Sequence, residues 1–120
     1  MMRRSIDGRP AVVLTAILRP PVEGPGRARR WSAHCLDLDM GVSAQTAPAV
    51  RMRLASSIAA HIALDGQLRS NRAPAERGLW DVAREAPLVT RQTVETDLGP
   101  VEVRYVLPDE GALAAAPANN

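Results

Sequence analysis

Residues 47–64 read Ala47-Pro48-Ala49-Val50-Arg51-Met52-Arg53-Leu54-Ala55-Ser56-Ser57-Ile58-Ala59-Ala60-His61-Ile62-Ala63-Leu64. Val50, Leu54, Ile58 and Ile62 recur every fourth residue, and Ala55, Ala59 and Ala63 widen the stripe. Arg51, Arg53, Ser56 and Ser57 fall elsewhere around the wheel. That period is one apolar face of a helix. Thr46 is the expected N-cap, Pro48 is tolerated in a first turn, and Asp65-Gly66 is the expected stop. At 1.5 Å per residue the helix runs about 27 Å, enough to cross a small sheet.

Upstream of the helix the pattern changes to a period of two. Pro10 to Leu18 is rich in the β-branched residues Val12, Val13, Thr15 and Ile17. Pro20-Pro21 ends it, and Pro20 to Arg30 is a connection marked by Gly24-Pro25-Gly26. Arg30 to Asp37 alternates Trp31, Ala33 and Cys35 against Ser32, His34 and Leu36, a second strand. Met40 to Gln45 reads as a third, folded back through a turn near Asp39 and Gly41. A bare hairpin cannot stand alone, so the helix must cover one face of an antiparallel sheet. The expectation is a two-layer α+β domain with a β-β-β-α core.

Downstream, Pro74 to Glu85 reads as a short helix and Pro87 ends it. Leu88 to Thr96 and Val101 to Leu107 read as strands on either side of Asp97-Leu98-Gly99-Pro100. The expected organisation is a domain over 10–66, an extension over 67–107, and an Ala-rich frayed tail over 108–120. The last strand, separated from the first sheet by weaker structure, is expected at a sheet edge, where it favours a homodimer or larger assembly.

Composition narrows the function classes. The 120 residues are 46% hydrophobic, and they include no Phe, two Trp and one Tyr, so Ala, Val, Leu, Ile and Met must build the core. Apolar runs are too short for a transmembrane helix. The N-terminus does not read as a targeting signal, so a cytoplasmic location is expected. One cysteine excludes an internal disulfide and a cysteine-only zinc site. All 15 basic residues are Arg, and seven of them lie in residues 1–30 against Asp7 and Glu23.

The segment Trp31 to Asp39, then Val42 to Thr46, then the helix ending Ile58-Ala59-Ala60-His61-Ile62, resembles the HicB-like family. These are small bacterial domains known as the antitoxin halves of HicA–HicB toxin–antitoxin pairs. The resemblance covers residues 10 to 66 and rests on an aromatic, an Ala-x-Cys-Leu-acidic strand, a polar return strand, a Thr cap and a long helix. It implies a partial double-stranded-RNA-binding-like fold and a domain that works by binding a protein, with a HicA-like toxin or a second copy as partner. Ala49 stands where the family has an acid closing a capping box. Nothing after Gly66 reads as a ribbon-helix-helix or helix-turn-helix, so the chain resembles stand-alone members without a DNA-binding C-terminus.

No catalytic constellation is legible. His34 and Cys35 are adjacent in a strand and point to opposite faces, so a buried core thiol is expected in place of a nucleophile. His34 also has the parity opposite to Asp37 and Asp39, so these three read as polar residues entering a turn and not as a metal or nuclease cluster. His61 flanks the helix stripe, and Ser56-Ser57 lack a nucleophile elbow. No Gly-rich phosphate loop occurs, and neither cofactor, metal nor enzymatic activity is expected. The expected function is a non-enzymatic interaction module. The alternative is a nucleic-acid binder using Arg19, Arg27, Arg29 and Arg30 beside Trp31.

Overall fold

A computed structural model describes residues 12–21, 30–66 and 77–109. The elements in chain order are β1 (Val13–Arg19), β2 (Trp31–Cys35), β3 (Met40–Ala44), α1 (Ala47–Asp65), α2 (Arg77–Glu85), β4 (Leu88–Thr96) and β5 (Gly99–Val106). The five strands form one sheet in the order β3-β2-β1-β5-β4. The fold is therefore α+β, as expected.

Helix α1 begins and ends as its sequence dictates. The Thr46 side chain accepts the Ala49 N–H at 3.1 Å, so the cap forms without the acidic partner of a capping box. Gly66 closes the helix at φ 68°, a left-handed conformation that costs a glycine little, and its N–H bonds the Ile62 carbonyl. Val50, Leu54, Ile58 and Ile62 are all at most 1% exposed. They share one apolar cluster with Leu14, Ala16 and Leu18 of β1, Ala33 and Cys35 of β2, Ala44 of β3, and Val101, Val103 and Tyr105 of β5. Period four in the helix and period two in the strands thus meet on one side of the sheet.

Three expectations change. The sheet is mixed, not antiparallel: β1 runs parallel to β5, with Val13 opposite Glu102 and Ile17 opposite Val106. The last strand is not at an edge. Val101, Val103 and Tyr105 are buried on one face and Val106 on the other, and β5 lies in the interior of the sheet with β1 on one side and β4 on the other. The edge falls to β4, whose burial is confined largely to Val94. Finally, the second sheet face has a helix of its own. Ala83, Leu79 and Trp80 of α2 pack with Ile17, Leu36 and Val106, which makes three layers where two were expected.

The main cluster joins residues from both sides of Gly66, so one core spans the boundary drawn there. The hairpin between β4 and β5 turns at Asp97-Leu98, where Gly99 at φ 102° takes a conformation that only glycine adopts without strain. Thr96 Oγ1 donates to the Gly99 carbonyl at 2.7 Å and accepts the Leu98 N–H at 3.1 Å. Among the described residues no helix is long and apolar enough to cross a membrane. The expected frayed tail, from residue 110 on, and most of the Pro20–Arg30 connection lie outside the described residues.

Candidate functional site

The β2–β3 hairpin carries the polar chemistry. Cys35 pairs with Met40, so Leu36, Asp37, Leu38 and Asp39 form the loop. Leu36 and Leu38 are buried, and they pull the loop onto the sheet. Asp39 takes φ 52°, a left-handed turn that Asp tolerates better than most residues. This turn overrides strand parity: it folds the Asp39 carboxylate back so that Oδ1 lies 2.8 Å from His34 Nε2. A carboxylate oxygen accepts, so Nε2 carries the proton in this contact. The expected separation of His34 from Asp39 is thus corrected. Alternation governs residues within a strand and lapses where the chain turns.

Asp37 goes elsewhere. Extending the register from Ala16 and Cys35 by one step would pair Thr15 with Leu36. The Leu36 N–H does bond the Thr15 carbonyl at 2.9 Å, but the Thr15 N–H is taken by Asp37 Oδ1 at 2.7 Å. Asp37 therefore completes the β1 ladder where β2 peels away. Burial pushes its carboxyl pKa up, and the Thr15 hydrogen bond pulls the other way. Cys35 is fully buried, and that burial pushes its thiol up to about 12. Its side chain lies in the main core, on the face opposite His34. Among the described residues no group of three or more His, Cys, Asp and Glu side chains could hold a metal.

On the α2 face of the sheet, β1, β2 and β3 present a concavity of about 320 Å³. Arg19, Ser32, His34 and Ser43 give it polar walls, and Ile17 and Leu79 an apolar side. Gly41, opposite His34 in the register, adds no side chain and leaves the floor low. At the rim, Arg30 Nε donates to Ser43 Oγ at 3.2 Å and Arg30 Nη2 to the Ser43 carbonyl at 3.4 Å. Arg53 reaches the same carbonyl from α1, at 3.3 Å.

Of the residues proposed for nucleic-acid contact, Arg19 lines this concavity and Arg30 binds Ser43 at its rim. Trp31 does not join them, because it packs against the main core on the opposite face. Arg27 and Arg29 lie outside the described residues. His61 is half-buried on α1, remote in sequence from the hairpin. Sequence reasoning missed Ser32, Gly41, Ser43 and Arg53. The alternation of small and polar residues in β2 and β3 was the available signal for the first three. Leu79 left none, since nothing local says which face α2 covers. No protein-family model matches the chain, and no curated protein and no solved structure matches it.

Proposed function

We propose that the chain is a HicB-like protein-interaction module, non-enzymatic and antitoxin-like, that binds a second copy of itself through β4. The observation that carries this reading is the difference between the two sheet edges. At β3 the Ser43 carbonyl is occupied by Arg30 and Arg53, two charges that discourage strand addition. At β4, among the described residues, no strand pairs with the outer side of a nine-residue strand. An open edge of that length is a template for another strand.

Charge fixes the register. Antiparallel pairing of two β4 strands about Thr93 sets Arg91 against Glu95 of the second copy, twice. The same register carries the exposed Leu88 toward the exposed Leu98. The order β1-β2-β3-α1 supports the HicB-like reading of residues 10–66, with its partial double-stranded-RNA-binding-like fold. A HicA-like toxin is the heterologous partner this reading names.

Light scattering on the full chain tests it. The expected mass is that of a dimer at micromolar concentration. Glu95→Arg is expected to give a folded monomer, and the swap Arg91→Glu with Glu95→Arg to restore the dimer. A chain that stays monomeric at high micromolar concentration, or a Glu95→Arg variant that remains dimeric, overturns self-association through β4.

A further inference from the structure

We infer that the concavity on the α2 face is a binding site for a phosphate monoester with a small apolar group. Among the described residues that line it, the one formally charged side chain is the basic Arg19, and none is a carboxylate. Arg19 stands on its wall, in register with Ser32, which is itself paired with Ser43. The Ser43 hydroxyl oxygen accepts from Arg30, so its own proton is available to an incoming anion. Asp39 holds His34 through Nε2 on the cavity wall, and beside it the Ser32 hydroxyl is the donor that β2 contributes. Donors thus converge from β1, β2 and β3, the arrangement a tetrahedral anion with several oxygens can use at once.

The arginines supply a second reason. The guanidinium groups of Arg30 and Arg53 share a single carbonyl oxygen. Among the described residues no carboxylate forms an ion pair with Arg19, Arg30 or Arg53. Like charges gathered without an acid repel one another, and an anion at this corner relieves that repulsion. The apolar group has its place against Ile17 and Leu79. A volume of about 320 Å³ is at the small end for ligand sites, so the apolar group is no larger than one ring.

Phenyl phosphate is the probe, titrated into the 15N-labelled full chain and followed by amide and Arg Nε chemical shifts. The expected result is a saturable shift at Ser32, His34, Gly41, Ser43 and the Arg19 Nε. Arg19→Gln should weaken binding about tenfold, since a charged hydrogen-bond donor is lost from an exposed residue. Gly41→Val should abolish it by filling the floor. A Cβ at Gly41 meets only the Ala33 carbonyl at 3.8 Å, so the fold has room for it. Should Gly41→Val fail to fold, Arg19→Gln alone decides. Phenol or benzoate binding as tightly as phenyl phosphate overturns the phosphate assignment. So does an unchanged affinity in Arg19→Gln. So does a single-stranded RNA that binds at these residues while phenyl phosphate does not.

Discussion

Two buried protons make the molecule sensitive to alkali at the level of single residues. Burial pushes both the Cys35 thiol and the Tyr105 hydroxyl up to about 12, from ordinary values of 9.0 and 10.0. The folded chain therefore holds protons at pH values where the unfolded chain releases them. Stability is full below about pH 9 and falls as pH rises from there toward 12. Urea midpoints measured between pH 8 and 11 should show that decline, and Cys35→Ala and Tyr105→Phe should each flatten it. The same burial shields Cys35 from thiol reagents. Native labelling should be slow and should accelerate steeply with urea; rapid labelling without urea would place the thiol at the surface. Asp37 is a structural carboxylate, whose Oδ1 occupies the Thr15 N–H. Asp37→Ala should cost about 1–2 kcal/mol in denaturant melts, and Asp37→Asn, which keeps an acceptor, distinctly less.

Among the elements, α1 bears most directly on stability. Ile58 is completely buried among the sheet residues. Ile58→Asp removes a core side chain and buries a charge, at a cost of about 4 kcal/mol or more, most of the stability of a small domain. A soluble Ile58→Asp variant with an unchanged melting midpoint would contradict the packing. Thr46→Ala should cost about 1 kcal/mol, because the Ala49 N–H loses its acceptor. This helix was legible almost to the residue, since its four-residue spacing, its Thr cap and its Gly stop agree. The strands were legible too, β1 from its β-branched residues and β2 and β5 from the alternation of apolar with polar side chains. Asp39 was not. Its contact with His34 depends on one left-handed residue in a four-residue loop, and nothing in the period of the flanking strands encodes that angle.

At the scale of the whole molecule, what the sequence could not disclose is the neighbour of each strand. Val101, Val103 and Tyr105 announce a strand with one apolar face. That its interior place lies between β1 and β4 is set by contacts across some ninety residues, beyond the reach of local patterning. The placement reverses the expected result of a truncation. Were β5 an edge element, deleting residues 101–120 would lower only the assembled mass. Because it carries buried Val101, Val103 and Tyr105 and separates β1 from β4, the deletion should abolish cooperative thermal unfolding. A truncated chain that melts cooperatively near the full-length temperature would refute the strand order.

The parallel pairing of β1 with β5 also sets a timetable for the nascent polypeptide. Translation delivers β1, β2, β3 and α1 long before β5 leaves the ribosome, so the inner side of β1 waits without its partner. For that interval Leu14, Ala16 and Leu18 border an unfilled slot of the width of one strand. Closure then depends on a distant segment finding it, and such non-local pairing is slower than the closing of a local hairpin. While this slot stands open the chain presents an unpaired strand edge bordered by apolar side chains, the kind of surface on which nascent chains aggregate.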